Sequence, residues 1–347
     1  MSTERLQDGD LLVLRGEEVL DVLADQEQAV MDAVGEAYRL HTQGQTSLPH
    51  SMFLRFPDNQ TDRIIALPAY LGGGHELAGM KWVASFPGNL QQGKDRASAV
   101  LALNSATTGR PSAMMEASII SARRTAASAA LAGQKLMAGQ EVRRAGVVGC
   151  GLINFEVVRF LVKAAVPTIE TLVLLDVHPE SAELFGEKCR KVFGVDYEVA
   201  SDMEGVLSSV NLTTFATNTV TPHVDDVSVC APGSAILHVS LRDFTPQVIL
   251  AADNVVDDVD HVSRARTSIH LAELETGNRD FVRCNIGQIL LGEAEARRDA
   301  ESVAIFSPFG LGVLDLAVAH LVEKKALEAG IGTVIPSFLP PRWTERD

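Results

Sequence analysis

Apolar residues recur at two spacings along this chain of 347 residues, and each spacing predicts one kind of element. Alternation of apolar and polar residues is typical of β-strands that are buried on one face. It marks the segments SMFLRF (51–56) and RIIALPAY (63–70). The short apolar run LLVL (11–14) and the segments GMKWVASF (79–86) and ASAVLALN (97–104) predict three further strands. The segment PDNQTD, rich in turn residues, separates SMFLRF from RIIALPAY and predicts a hairpin.

A spacing of three and four residues marks the predicted helices. EEVLDVLADQEQAVMDAVGEAYRL (17–40) predicts two of them, with a break near Asp25. An Ala-rich segment at 121–138 predicts a long helix, because Ala has the highest helix propensity. After residue 145 helical segments alternate with the apolar runs VLLD, NLTTFAT, AILHVS and NVVDD. This alternation predicts βαβ units and a parallel sheet.

The stretch AGVVGCGLINFEVVRFL (145–161) places two glycines between an apolar run and an amphipathic helix. In such a unit the first glycine permits a tight turn, the second lets the backbone approach a pyrophosphate, and the helix N-terminus offers unpaired N–H groups. A turn that is merely tight is the alternative. Asn154 stands where a third glycine is expected. We predict a dinucleotide site formed by Gly149, Gly151, Leu152, Ile153 and Asn154.

Asp176 ends a second apolar run, 22 positions after Asn154. An acidic residue at that distance binds the 2′-hydroxyl of the ribose and repels a 2′-phosphate. Neither Val177 nor His178 provides the arginine that a 2′-phosphate requires. The predicted cofactor is therefore NAD. An N-cap role for Asp176, in a helix beginning near Pro179, is compatible with the same position.

These patterns together predict an α/β protein with a Rossmann-type NAD-binding domain over residues 125–311. FSPFGLGVLDLAVAHLVEKKALEAG predicts a final helix that has no strand beside it in the sequence. We expect this helix to return to the N-terminal region. A discontinuous α+β domain for substrate binding and dimerisation is therefore predicted over residues 1–124 and 312–347.

Composition narrows the class of protein. The formal net charge of −15 argues against a nucleic-acid partner, because phosphate binding needs clustered Lys and Arg. The segment MSTERLQDGD lacks the features of a signal peptide, and no apolar run approaches about 18 residues, so we expect a cytoplasmic protein without membrane contact. Four cysteines without a C-x-x-C pair and nine histidines without an H-E-x-x-H motif predict no metal site.

Three charged residues are candidates for chemistry. Asp243 follows the run AILHVS, where the carboxyl end of a strand delivers side chains to a ligand crevice; a helix cap or turn is the alternative. Lys81 lies in the apolar context MKWV, where its ammonium group needs a carboxylate or carbonyl, unless it snorkels at an edge. Arg124 offers a planar fork suited to a substrate carboxylate, and a structural salt bridge is its alternative.

Six segments resemble the ornithine cyclodeaminase and mu-crystallin family in their order along the chain: GMKWVASFPGN, ARRTAASAA, GVVGCGLIN, FATNTVTP, HVSLRDFTPQ and FSPFGLGVLDLA. The resemblance implies an NAD enzyme in which Lys81 and Arg124 face the substrate and Asp243 is the catalytic acid/base. It places Thr217 near the nicotinamide ribose and extends the expected cofactor site to Ser240 and Gly310. It also implies a homodimer. Because mu-crystallin uses the same fold as a binder, a non-catalytic ligand-binding protein stays an alternative.

Two positions depart from the cyclodeaminase pattern of the family. Counting back from Pro68 places Ile65 where cyclodeaminases carry a glutamate. Pro49 is followed by His50 and Ser51, whereas the family often has an arginine just after this proline. Cyclodeaminase activity is therefore disfavoured, and it stays an alternative together with other NAD-dependent amino-acid dehydrogenases.

Five segments resemble the branch of the family that acts in 2,3-diaminopropionate synthesis for siderophores and related natural products. They are SLPHSMFLRFPD, IIALPAYLGG, FPGN, KDRAS and EASIISARRTAAS. This implies NAD-dependent oxidative hydrolysis of N-(2-amino-2-carboxyethyl)-L-glutamate to 2-oxoglutarate, L-2,3-diaminopropionate and NADH. Three carboxylates suit several cations, so Arg55, Arg63 and Arg96 join Arg124 as expected substrate-binding residues. An upstream synthase dependent on pyridoxal phosphate is the implied partner in the pathway.

Overall fold

The computed structural model describes residues 6–346, apart from the side chain of Gln60. The chain forms two compact units, one from the chain up to Arg124 together with the chain from Leu311 onward, and the other from Thr125–Gly310. The sequence pattern assigned residue 311 to the second unit. In the structure Leu311 belongs to the first, because it is the N-cap of the C-terminal helix and lies with that helix.

Strands are numbered here in chain order over residues 6–346. They are β1 (Leu11–Leu14), β2 (Thr46–Ser47), β3 (Met52–Phe56), β4 (Asn59–Leu71), β5 (Leu77–Ser85), β6 (Ala97–Ser105), β7 (Pro111–Glu116), β8 (Arg144–Val148), β9 (Thr171–Leu175), β10 (Asp196–Val199), β11 (Leu212–Phe215), β12 (Ala235–His238), β13 (Asp253–Val256), β14 (Val282–Asn285), β15 (Ala304–Ser307) and β16 (Thr333–Ile335).

The α-helices follow the same numbering. They are α1 (Gly16–Val22), α2 (Glu27–Thr42), α3 (Ser118–Leu136), α4 (Leu152–Phe160), α5 (Pro179–Phe193), α6 (Met203–Leu207), α7 (Pro246–Ala251), α8 (Val259–Val262), α9 (Ser268–Thr276), α10 (Ile286–Leu291) and α11 (Gly312–Ala329). A π-helical segment, Leu161–Ala165, continues α4. The chain passes from the first unit to the second within α3.

The first unit contains a mixed sheet with the strand order β16-β1-β7-β6-β5-β4-β2, and β3 pairs with β4. Pairing is antiparallel throughout except between β1 and β7. Strands β3 and β4 form the predicted hairpin. Helix α11 packs on β4 and β5 and against α2, so the C-terminal helix does return to the N-terminal region.

The two faces of this sheet differ in burial. The face beneath α11 carries Leu67, Leu101, Leu103 and Met115, all of them buried. The opposite face carries large apolar side chains that are 37 to 41% exposed, namely Met80, Trp82, Val100 and Met114. One face therefore forms the core of the unit, and the other leaves an apolar surface.

The second unit contains a sheet of parallel strands in the order β10-β9-β8-β11-β12-β15-β13-β14. The α/β class predicted from the alternating pattern is confirmed. The chain adds β9 and β10 on one side of β8 and the later strands, beginning with β11, on its other side, so the topological switch point lies between β8 and β11. Ligands of open α/β sheets bind at such a switch point, beyond the carboxyl ends of the strands. The glycine turn follows β8 at this point.

The sequence pattern missed six strands, β2, β7, β10, β14, β15 and β16. Five of them have two to four residues, which is too short for a periodic signal. Strand β7 has six residues, PSAMME, but it begins with proline and its two adjacent methionines interrupt the alternation. Within residues 6–346, no helix combines the length and the apolar character that a membrane crossing requires.

Candidate functional site

The glycine turn between β8 and α4 explains the need for two glycines at different positions. Gly149 has φ of 87°, and a Cβ on it would lie 2.7 Å from the carbonyl oxygen of Ala216. A Cβ on Gly151 would meet nothing within 4 Å. Gly149 is therefore required by the fold itself, whereas Gly151 keeps its own backbone open to a ligand.

Asn154 lies at the third fingerprint position but its side chain does not face outward. It is fully buried, and Nδ2 donates to the carbonyl oxygens of Val148 at 2.9 Å and Gly149 at 2.7 Å. Its Oδ1 accepts a hydrogen bond from Thr214 Oγ1 at 2.8 Å. Both amide hydrogens are in use, so the side chain of Asn154 holds the turn in shape.

The N-terminus of α4 is open to solvent. Its N-cap, Gly151, and the first helical residue, Leu152, are exposed, and Ile153 is partly buried. No side chain among the described residues caps this end of the helix. The first N–H groups of α4 are thus available to an anion.

Asp176 lies beside the glycine turn, just after β9. Its Oδ2 accepts a hydrogen bond from the Cys150 backbone N–H at 2.7 Å, and its Oδ1 accepts one from the His178 N–H at 3.0 Å. The side chain is partly buried. These two bonds fix the carboxylate at the edge of the turn, where it retains lone pairs for a hydroxyl donor.

Asp243 is fully buried in the second unit, at the centre of a hydrogen-bonded network. Oδ1 accepts a hydrogen bond from Thr217 Oγ1 at 2.6 Å, and Oδ2 accepts one from Ser240 Oγ. Buried His238 lies on the same side, with Nε2 3.1 Å from Oδ2. Burial by itself raises the pKa of Asp243, but the hydrogen bonds from His238, Ser240 and Thr217 outweigh it and hold that pKa below its usual value.

His238 has two mutually exclusive bonding states toward Asp243. When Nε2 carries a proton it donates to Oδ2, and when it does not it accepts from the Asp243 backbone N–H at 3.2 Å. The other ring nitrogen lies 3.1 Å from Ser307 Oγ, which can donate or accept. His238 thereby joins Asp243 to the end of β15.

The loop that carries Ser240 and Asp243 has a strained residue at its centre. Leu241 has φ of 76°, and its carbonyl oxygen accepts a hydrogen bond from the Ser268 N–H at 2.7 Å. Arg242 donates to the carbonyl oxygens of Ala265 and Arg266. The neighbouring segment therefore holds the loop in a conformation that a leucine rarely adopts.

Gly310 is held by a buried carboxylate that the sequence analysis did not identify. Asp257 accepts hydrogen bonds from the N–H groups of Phe309 at 2.9 Å and Gly310 at 2.7 Å. Burial raises the pKa of Asp257 although these bonds oppose the shift. Asp257 fixes the shape of the loop after β15, in which Gly310 has φ of 94°.

In the first unit, Lys81 is 1% exposed and lies against Asp315 of α11. Its Nζ is 2.8 Å from Oδ2 and 2.9 Å from Oδ1 of Asp315, and it also donates to Ser121 Oγ at 2.9 Å. Burial and the nearby Arg124 charge lower the pKa of Lys81 to about 8, although Asp315 raises it. The carboxylate that the apolar context of Lys81 required is thus Asp315.

Arg124 shares the same carboxylate, with its Nε 3.0 Å from Asp315 Oδ1. This is the salt bridge that the sequence analysis considered as the alternative to substrate binding. Among residues 6–346, the Arg124 side chain donates its hydrogen bond to Asp315, and it does so through Nε alone. The two terminal nitrogens of the fork remain for another acceptor.

Two further arginines lie opposite each other on the sheet of the first unit, and a third contacts the same row of residues. Arg55 of β3 is directly opposite Arg63 of β4, and Arg63 is opposite Ser85 of β5. Arg96 donates from Nε to Ser85 Oγ at 3.3 Å. Residues directly opposite each other on neighbouring strands have their side chains on the same face of the sheet. Ser85 and Lys81 are four positions apart on β5, so their side chains also lie on one face, which Arg55 and Arg63 share.

Within residues 6–346, no cluster of three or more His, Cys, Asp or Glu side chains is arranged to hold a metal ion. The candidate residues contact four side chains that no sequence pattern indicated, namely Asp315, Asp257, His238 and His223. Asp315 and His238 did lie inside quoted motifs, FSPFGLGVLDLA and HVSLRDFTPQ. Their place in these motifs was the signal that could have identified them. The partner of Asp315, Lys81, is 234 positions away in the sequence, so no local spacing links the two residues.

Comparison with known proteins places these features in a family. The model of the ornithine cyclodeaminase/mu-crystallin family matches residues 13–330. N-((2S)-2-amino-2-carboxyethyl)-L-glutamate dehydrogenase of Staphylococcus aureus is 27% identical over 333 residues, which are 94% of this chain and 98% of that protein. Alanine dehydrogenase of Archaeoglobus fulgidus is 29% identical over 339 residues, 95% of this chain and 99% of the relative.

A solved structure has the same fold over nearly the whole chain. It is an archaeal alanine dehydrogenase dimer with bound NAD, which is 28% identical and has a TM-score of 0.83. The similarity covers 94% of this chain and 99% of the archaeal one. Because the family match spans both units and every motif quoted above, this chain belongs to the ornithine cyclodeaminase/mu-crystallin family.

Proposed function

We propose that this protein is an NAD-dependent oxidoreductase that acts on the carbon–nitrogen bond of an amino-acid-derived substrate. The two relatives described above are dehydrogenases that act on amino acids, and the archaeal structure contains NAD. The specific substrate we propose is N-(2-amino-2-carboxyethyl)-L-glutamate. The products are 2-oxoglutarate, L-2,3-diaminopropionate and NADH.

The residues of the second unit fit a dinucleotide. The open backbone at Gly151 and the uncapped N-terminus of α4 suit a pyrophosphate, because N–H groups and the helix dipole favour an anion there. Asp176 is fixed beside the turn with lone pairs free for a ribose hydroxyl. A 2′-phosphate at this position would meet a carboxylate, which favours NAD over NADP.

The arrangement of cations on one sheet face is the observation that carries the substrate assignment. Lys81 and Arg124 share the single carboxylate of Asp315, so this cluster holds one positive charge in excess. Arg55 and Arg63 follow on the same face of the sheet, and Arg96 contacts Ser85 of their row. A substrate with three carboxylates suits two such groups of cations better than alanine does.

Ile65 supports the same choice over ornithine cyclodeamination. It lies on β4 between Arg63 and Leu67, and so on the face that carries Lys81. The glutamate that the family's cyclodeaminases carry at this register is thus replaced by an apolar residue at a position facing the cluster. Such a site lacks the second carboxylate for ring closure.

NAD, when bound, accepts hydride from the α-carbon of the glutamate moiety. Arg124 holds a substrate carboxylate with its free terminal nitrogens, while Asp315 fixes the guanidinium through Nε. Lys81, with its pKa of about 8, provides a positive charge that stabilises the negative charge developing on oxygen as water adds. The carboxylate of Asp243 serves the acid/base steps that this addition and the loss of the amine require.

The experiment is to incubate the protein with NAD and synthetic N-(2-amino-2-carboxyethyl)-L-glutamate, and to quantify NADH, 2-oxoglutarate and 2,3-diaminopropionate. Equal amounts of the three products support the proposal. NADH formation from L-alanine alone, or conversion of ornithine to proline and ammonia without net NADH, would refute the substrate assignment. Arg63→Ala should raise KM for the tricarboxylate, whereas Arg110→Ala, at a partly buried arginine paired with Asp8, is the matched control.

We also propose a homodimer formed through the outer face of the mixed sheet. Met80, Trp82, Val100 and Met114 form an exposed apolar surface on that face. Contiguous apolar surface of this kind marks protein–protein contacts. The archaeal alanine dehydrogenase structure is a dimer, which supports the proposal.

Substrate supply requires an upstream enzyme that joins glutamate to a serine derivative, a reaction suited to pyridoxal phosphate.

A further inference from the structure

His223 lies in the loop after β11 and is attached to Asp243 by its backbone. The N–H groups of His223 and Val224 both donate to the carbonyl oxygen of Asp243, at 2.9 and 2.8 Å. The Thr245 N–H donates back to the carbonyl oxygen of Val224 at 3.0 Å. These bonds hold the backbone of His223 beside Asp243, and Nε2 of the His223 ring lies 4.0 Å from Asp243 Oδ1.

Asp243 itself has no exposed surface, and this limits how it can exchange protons. Among the described residues, two titratable side chains lie against its carboxylate, His238 and His223. His238 is fully buried, whereas the His223 side chain is 42% exposed. The Thr217 and Ser240 hydroxyls also contact the carboxylate, but an alcohol does not hold an additional proton near neutral pH.

We propose that His223 is the catalytic proton carrier of this site and forms a dyad with Asp243. The inference rests on the proposed function, since it concerns the protons of that reaction. Nε2 of His223 lies 4.0 Å from the Asp243 carboxylate in a side chain that is 42% exposed. In the proposed dyad, Nδ1 is therefore the nitrogen that exchanges protons with water and substrate. Asp243 then stabilises the imidazolium, and His238 orients Asp243 from the opposite side.

The proton balance of the reaction fits one such carrier. Hydride loss leaves a protonated carbon–nitrogen double bond, to which water adds while Nδ1 of His223 takes one of the water protons. His223 returns this proton to nitrogen. The carbon–nitrogen bond then breaks with its electron pair going to nitrogen, and His223 accepts the hydroxyl proton. That last proton passes to solvent, which matches the formation of NADH and one proton.

The first test needs neither cofactor nor substrate. Diethyl pyrocarbonate modifies histidines, and peptide mass spectrometry gives the rate at each one. At pH 8 Asp243→Asn should slow modification of His223 at least about threefold, because the carboxylate that makes the imidazole more nucleophilic is gone. Exposed His75 serves as the internal control and should react at an unchanged rate. Equal His223 rates in both proteins would show that there is no dyad.

The second test measures turnover. His223→Ala and His223→Gln should lower kcat by about 10²-fold, the usual contribution of a positioned acid/base, with KM, NADH affinity and melting temperature close to those of the wild type. Added imidazole should restore the rate of His223→Ala saturably, and the double variant with Asp243→Asn should be no slower than the slower single variant. His75→Gln should retain full activity.

The outcomes separate this inference from the proposed function. A His223→Gln variant with kcat within threefold of the wild type, or a slow His223→Ala variant that imidazole does not rescue, overturns the role of His223 and leaves the dehydrogenase intact. A wild-type protein that forms no NADH from the tricarboxylate, while His223 reactivity still depends on Asp243, overturns the substrate assignment and leaves the dyad standing.

Discussion

Lys81 and Asp315 are 234 positions apart in the sequence and form a buried ion pair, with Nζ 2.8 Å from Oδ2. The pair joins strand β5 to helix α11, and Arg124 adds helix α3 to the same carboxylate. Breaking such a pair by removing one partner leaves an uncompensated charge in a buried place. Asp315 therefore positions both candidate substrate-binding cations and raises the pKa of one of them, Lys81.

Asp315→Asn should alter the pH profile of the enzyme. Asp315 raises the pKa of Lys81, so its loss should move the basic limb of kcat/KM, expected near pH 8, to lower pH. The substrate KM should rise as well, because Arg124 loses its anchor. Initial rates between pH 6 and 10 measure both effects. Glu345→Gln, which neutralises an exposed carboxylate of the same unit, is the control, and an unmoved limb would contradict the role of Asp315.

Lys81 should also give the cofactor-free protein a characteristic dependence of stability on pH. Its folded pKa of about 8 is below the unfolded value of about 10.4, so the unfolded chain binds more protons between these two values. The free energy of unfolding should therefore rise with pH over this window, and the gain should disappear as pH falls through 8. Urea denaturation at several pH values measures the slope, which Lys81→Met should remove.

Gly149→Ala should lower the stability of the protein, whereas Gly151→Ala should weaken NAD binding. The first forces a Cβ to 2.7 Å from a backbone oxygen at a positive φ, so it should lower the free energy of unfolding by about 1–3 kcal/mol or more. The second meets open space, so stability should stay close to that of the wild type while NAD binding weakens. Denaturation curves and fluorescence titration with NADH distinguish the two. Equal NAD affinity in Gly151→Ala would rule out close approach of the cofactor there.

Cofactor choice should follow Asp176. NAD is expected to bind at least about tenfold more tightly than NADP, a difference of about 1.4 kcal/mol, because a 2′-phosphate would be repelled by the carboxylate. Asp176→Ser should narrow this gap, mainly by improving NADP binding. Titration of both reduced cofactors into both proteins provides the measurement. Similar affinities in the unmutated protein would be evidence against the predicted ribose contact.

Trp82→Glu should dissociate the proposed dimer. It introduces a charge at the centre of the apolar surface on the mixed sheet, where desolvating an unpaired carboxylate is costly. Light scattering after gel filtration should then give the mass of one chain, 37.2 kDa. Leu274→Glu changes an apolar residue of α9 that is 62% exposed and should leave the dimer unaltered. A wild-type protein that already elutes as a monomer would refute the proposal.

Most elements could be predicted from the sequence because their spacing signals are local. The hairpin of β3 and β4 and the glycine turn after β8 each lie within 25 residues, and the residues that specify them are neighbours. Short strands such as β10 gave no signal, because four residues contain too little periodicity. Asn154 showed the limit of a motif: its position was evident, but its inward orientation was not.

By itself, the sequence determined the α/β class, the discontinuous first unit, the family and the positions of the candidate residues. Local spacing and the order of the motifs carry that information, because both depend only on the linear sequence. Only the tertiary structure decided which charges meet: Asp315 with Lys81 and Arg124, and Asp243 with its two histidines. These contacts arise where strand ends and helix faces converge, and burial then forces each charged group to find a partner that no spacing along the chain encodes.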